Sequence, residues 1–127
     1  MGVLFASADR EPGTFNSDFM VSPQAKGGIV TVNYTAEGGG TATLDLKLQT
    51  RDQTEDAWDD VTAGGSATLA FTQMTGVGEY SMTVYPGLTA AAAPAQVISG
   101  VLPRNLRAVA VVGTDNLTFS ASFQELR

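Results

Sequence analysis

The chain has no cysteine and no histidine among its 127 residues. Without thiols there can be no disulfide and no thiolate metal site. Without imidazole there is no His-built zinc site and no Ser-His nucleophilic pair. Charge is also scarce: 16% of residues are charged, 13 acidic against 7 basic, for a net −6. An acidic balance repels phosphate backbones, whose binding depends on Lys and Arg displacing counterions. Nucleic acid is therefore not an expected partner. Long apolar runs are missing too. None approaches the ~20 residues a membrane-crossing helix needs, so no membrane partner is expected. The opening Met1-Gly2-Val3-Leu4-Phe5-Ala6-Ser7-Ala8 carries no Lys or Arg ahead of its apolar run. That is unlike a secretory leader, and the expectation is an unprocessed product made in a cytoplasm. There is no glycine-rich phosphate loop, and no cofactor is expected.

What is present is β pattern. At 43% hydrophobic residues the chain can bury a core of its own, and its length suits one domain. Over Ile29–Thr35, Val30, Val32 and Tyr34 alternate with Thr31, Asn33 and Thr35. Over Thr41–Arg51, Ala42, Leu44, Leu46 and Leu48 alternate with Thr43, Asp45, Lys47 and Gln49. Period two marks a half-buried strand. Trp58 and Val61 form a short strand. Ser66–Phe71, Glu79–Tyr85, Leu106–Val112 and Leu117–Leu126 alternate again, the last with Leu117, Phe119, Ala121 and Phe123 inward. Thr89–Gln96 contains Pro94 and is short for a helix, so it reads as a loop that could hold one helical turn. The expected fold is all-β, an antiparallel β-sandwich of seven to eight short strands, Ig-like or jelly-roll-like. A closed or partly open barrel is the alternative.

Residues 1–27 are broken by Pro12, Gly13, Pro23 and Gly27 and read as an irregular N-terminal arm, with residues 28–127 as the single β-sandwich domain. Phe5, Phe15, Phe19 and Met20 either cover one end of the core or cross onto a neighbouring subunit. The arm is expected to matter more for partner binding than for folding, so that losing residues 1–20 leaves cooperative unfolding nearly intact.

Candidate chemistry is thin. Asp52, Glu55, Asp56, Asp59 and Asp60 could offer oxygen ligands to Ca²⁺, but they lack EF-hand spacing and its central glycine. A solvated hairpin loop is the alternative. The same carboxylates are the only candidates for acid-base chemistry, and in one exposed loop their pKa values are hard to tune, so an enzyme is not expected. Trp58, with Tyr80 or Tyr85, could form an aromatic platform for a glycan, or could simply pack. Arg104 and Arg107 flank Leu106; each could pair with an internal acid or with a neighbouring subunit.

Some features recur in a recognisable order. Gly28-Ile29-Val30-Thr31-Val32 is followed by Ala42-Thr43-Leu44-Asp45-Leu46-Lys47-Leu48-Gln49, then Arg51-Asp52 and Trp58-Asp59-Asp60-Val61. Next come Val84-Tyr85-Pro86-Gly87-Leu88, the Leu102-Pro103-Arg104 step, Leu106-Arg107-Ala108-Val109 and the Leu117–Phe123 strand. This order resembles small structural proteins of tailed bacteriophages encoded among head genes, over residues 28–126. The resemblance implies a non-enzymatic virion part: a capsid decoration, or cement, protein on the capsid surface. Its implied partners are the major capsid protein and neighbouring copies of itself, with a trimer as one oligomeric form. Phe5, Phe15, Phe19, Met20, Arg104 and Arg107 are then the candidate partner-binding residues. A tail or neck component and a glycan-binding β-sandwich module are the alternatives.

Overall fold

Alternating apolar and polar side chains mark most of the long strands, and the described residues form eleven: β1 Gly2–Arg10, β2 Gly13–Met20, β3 Gly27–Glu37, β4 Thr43–Asp52, β5 Ala57–Asp60, β6 Thr62–Ala63, β7 Ala67–Thr68, β8 Gly78–Val84, β9 Ala95–Ile98, β10 Asn105–Gly113 and β11 Leu117–Leu126. The computed structural model describes residues 2–52, 57–60, 62–63, 67–86, 95–98 and 104–127. Among them there is no helix. One sheet has the order β1-β11-β3-β8-β9 and the other β2-β10-β4-β5, with β6 and β7 forming a small separate pair. The two large sheets face each other as a β-sandwich.

The inward faces are those the alternation marks. Val30, Val32 and Tyr34 of β3, Met82 and Val84 of β8, and Leu117, Phe119, Ala121 and Phe123 of β11 are buried from one side. Leu44, Leu46 and Leu48 of β4 and Leu106, Ala108, Ala110 and Val112 of β10 are buried from the other. Small and large residues interleave across β10. Ala110 lies opposite Leu46 on one side and Phe15 on the other, and Leu106 lies opposite Phe19. Among the described residues no charged side chain is buried, and the Tyr34 phenol is the buried group that carries a hydroxyl.

The free side of β4 is shared. Residues 49–52 pair with β5. Lower down, the amide of Phe71 donates to the Leu46 carbonyl (2.9 Å), and Leu44 and Met74 exchange two bonds of 2.9 Å. Leu69, Phe71 and Met74 are buried by this pairing. The expected strand over Ser66–Phe71 is thus β7 followed by a bridged segment.

Two expectations are corrected. Residues 1–27 are not an irregular arm: β1 pairs antiparallel with β11, and β2 with β10 over eight consecutive residues. Only the stretch between β2 and β3 is irregular, turned by the Ala25 amide donating to the Ser22 carbonyl (3.0 Å). Glu11 and Pro12 are the bend between two strands that join opposite sheets, and Gly13 already opens β2. In β1 the alternation is broken by register shifts on either side of Phe5, so Leu4 and Phe5 are both buried. Second, the run read as a loop over Thr89–Gln96 enters β9 at Ala95, and β9 lies parallel to β8, the one parallel ladder among the described residues. Four residues beside an alanine run are too few to display a period; the rest of that run, 89–94, lies outside the described residues.

Tyr34 is the polar anchor of the core. Its hydroxyl donates to Glu37 Oε2 at 2.9 Å and lies 3.2 Å from the Ala42 carbonyl. Burial first, then the hydrogen bond to Glu37 and its negative charge, push its pKa up to about 12. At the same end, Asp115 accepts from Thr41 Oγ1 at 2.7 Å, and the Gly38 amide donates to the Asn116 carbonyl at 2.8 Å. The β10–β11 turn is thereby tied to the β3–β4 loop.

Two outcomes follow. Deleting residues 1–20 removes the buried Leu4 and Phe5, each worth ~1.5–3 kcal/mol, and strips one edge from each sheet. Calorimetry of the truncated chain should show no cooperative transition. Because the folded-state pKa of Tyr34 lies above its ordinary value of 10.0, the stability it contributes is complete below pH 10 and declines as pH rises towards 12. Tyr34→Phe should cost about 1 kcal/mol at neutral pH. It should also flatten the alkaline decline in denaturant titrations.

Candidate contact surface

Among the described residues, the end of the sandwich where β2 finishes carries the most exposed apolar side chains. Met20 is 70% and Val3 73% exposed. Strand alternation turns Phe19 inward, where its ring meets Phe123 of the opposite sheet at 4.9 Å between centroids, and turns Met20 outward. Phe19 and Met20 form a ridge between two grooves. One, of about 500 Å³, is lined by Asp18, Arg51, Trp58, Asn105 and Leu106 with the ridge itself. The other, of about 210 Å³, is lined by Val3, Leu4, Phe123 and Glu125 with the ridge.

The outer face of the four-stranded sheet supports the larger groove. Asp18, Arg107, Gln49 and Asp60 lie in one row across β2, β10, β4 and β5. Arg107 Nε and Nη2 donate to Gln49 Oε1 at 2.9 and 2.7 Å, and its guanidinium lies 4.7 Å from the centroid of the Trp58 ring. Gln49 Nε2 donates to Asp60 Oδ1 at 2.9 Å, and Lys47 Nζ sits 2.9 Å from the same oxygen. The Gln49 hydrogen bond, then Lys47, hold the Asp60 carboxyl below the usual carboxylate range. Strand pairing alone places these groups side by side, and they fix the Trp58 ring on a rigid frame.

The candidate residues separate into two groups. Phe19, Met20 and Arg107 gather at or beside the ridge. Arg104 is exposed next to it, since its carbonyl accepts from the Val21 amide at 2.8 Å. Phe5 and Phe15 do not join them. Phe5 is 6% exposed with its ring 5.5 Å from Phe119, and Phe15 is half-buried against the core. Both are packing residues, because each sits on the inward face of its strand.

Of the acidic set, only Asp59 and Asp60 have described side chains. Asp59 and Asp60 are neighbours on β5 and so point to opposite faces. Asp60 is held by Gln49 and Lys47, while Glu55, Asp56 and the side chain of Asp52 lie outside the described residues. Among the described residues no three acidic side chains come together. Nor does a shared aromatic platform form. Trp58 belongs to one sheet, whereas Tyr80 lies in the other, donating to the Gly76 carbonyl (2.7 Å), and Tyr85 donates to the Arg127 carbonyl (3.3 Å).

Arg10 gave no signal in the sequence. Its guanidinium lies 4.5 Å from the Phe119 ring centroid, 5.6 Å from that of Phe5 and 5.9 Å from that of Phe15. It donates to the carbonyls of Ala6 (2.7 Å), Ala8 (3.2 Å) and Phe119 (3.0 Å). Partial burial lowers its pKa from the ordinary value. Its role emerges in the fold, which brings carbonyls of β1 and β11 and three aromatic rings to one guanidinium.

No family model matches the chain, and no curated protein or solved structure matches it either.

Trp58 is the only tryptophan, so its emission reports the frame directly. Arg107→Ala should red-shift that emission, increase quenching by acrylamide and cost ~0.5–1 kcal/mol. Arg107→Lys should not restore the spectrum, because an ammonium cannot stack as a plane.

Proposed function

We propose that this chain is a structural protein of a tailed-bacteriophage virion that binds the outer face of the capsid and stabilises it. Its partners are the major capsid protein and neighbouring copies of itself. The observation that carries the reading is the ridge of Phe19 and Met20 between two grooves, with Val3 exposed beside it and a rigid Trp58–Arg107 pair behind it. An exposed methionine and a guanidinium-backed tryptophan are the side-chain types that anchor protein interfaces. A cement protein contacts many capsid subunits at once, so a weak single contact is multiplied into firm attachment. The motif order over residues 28–126 supplies the virion context.

A second reading rests on the larger groove, where Trp58 meets the polar side chains of Asp18, Arg51 and Asn105. That mixture also suits a glycan. A glycan array probed with wild type and Trp58→Ala separates the two, since only the glycan reading expects hits that the variant loses.

Purified protein should bind expanded capsids and raise their resistance to heat. Met20→Asp and Val3→Asp place a charge on the ridge and should weaken that binding at least tenfold while leaving the melting temperature of the free protein nearly unchanged. Antibody labelling of intact virions should mark the head. Failure to bind capsids, or labelling confined to the tail or neck, overturns the reading.

A further inference from the structure

The two large sheets have four edges, and three of them are blunted. β9 and β5 are four residues long. β1 is longer, but its ladder shifts register twice, between Val3 and Phe5 and between Phe5 and Ala8. Short length and bulges are the devices by which sheet edges avoid pairing with other chains. β2 has neither. It runs unbroken for eight residues, from Gly13 opposite Val112 to Met20 opposite Asn105. Gly13–Met20 contains no Pro, Lys or Arg, and Asp18 is its single charge. Its outward side chains Thr14, Asn16, Asp18 and Met20 are exposed, and its inward ones, Phe15, Ser17 and Phe19, are only half-covered.

We propose that β2 is a dimerisation edge, pairing antiparallel with β2 of a second copy about a two-fold axis and joining two four-stranded sheets into one. A two-fold perpendicular to the sheet keeps inward residues opposite inward residues. Centred on Ser17, it sets Phe15 against Phe19 of the second copy, Asn16 against its Asp18 and Thr14 against its Met20. Each half-covered phenylalanine gains an aromatic neighbour, and the strand's only carboxylate meets an amide in both halves. No like charges stand opposite one another, which is what makes a second copy the fitting occupant. The inference does not rest on the capsid reading, and its test uses the free protein alone.

Sedimentation velocity of the purified chain over a range of concentrations should show a monomer–dimer equilibrium. Because the chain has no cysteine, introduced thiols report without background. The two Ser17 Cα atoms would be about 4.5–5.5 Å apart, within disulfide range. Ser17→Cys should therefore form a covalent dimer under mild oxidation. Thr14→Cys should not, since its copies would be displaced by roughly 20 Å along the strands. Asn16→Asp would place a carboxylate opposite Asp18 twice per dimer and should weaken association roughly tenfold, whereas Asn16→Lys should tighten it. The Asn16 side chain is exposed, so these two variants also serve if Ser17→Cys fails to fold. A monomer at every concentration, a trimer, or cross-linking of Thr14→Cys as complete as that of Ser17→Cys overturns the proposal.

Discussion

The constraint on which the structure depends is the bend at Glu11-Pro12. Only these two residues separate β1 from β2, yet the strands enter opposite sheets. The first twenty residues must therefore close one side of the sandwich. Three interactions fix that closure. Phe5 packs on Phe119 within one sheet, Phe19 reaches across to Phe123, and Arg10 lies over aromatic rings drawn from both layers. Arg10 can be desolvated there because three backbone carbonyls accept its hydrogen bonds. Lysine offers neither the planar stack nor the fork of donors.

The contact surface follows from the same geometry. Once Phe19 is committed to the core, the next residue must face solvent, and Met20 does. The row from Asp18 through Arg107 and Gln49 to Asp60 lies on the outer face because Phe15, Ser17 and Phe19 occupy the inner one. Folding and display are therefore two faces of one strand. This is why residues expected to be chiefly a partner-binding arm supply buried aromatics as well.

Much of the fold was legible. In β3, β4, β8 and β11 the period-two pattern names the buried faces, since a strand covered on one side must alternate, whereas β10 is apolar on both faces. Three things hide the rest. Pro12 and Gly13 carry a loop signal, yet Pro12 sits in a two-residue bend and Gly13 opens β2, and the bulges around Phe5 erase the alternation of β1. In β2 the alternation of Phe15, Ser17 and Phe19 was visible, but a serine in the middle of it masked the apolar face. The site was legible in part. Phe19, Met20, Arg104 and Arg107 were named from aromatic and arginine chemistry, whereas the partnership of Arg107 with Trp58 depends on cross-strand register, which no single strand encodes. Arg10 depends on contacts that join β1, β2 and β11, which composition and spacing do not show.

Amide hydrogen exchange on the full-length chain tests the central claim, that residues 2–20 are strands of the sandwich, most directly. The β10-facing amides of β2 and the β11-facing amides of β1 should exchange as slowly as those of β10 and β11, through the same global opening. Exchange of these amides at the rate of an unstructured chain, with β10 and β11 still protected, would contradict the account.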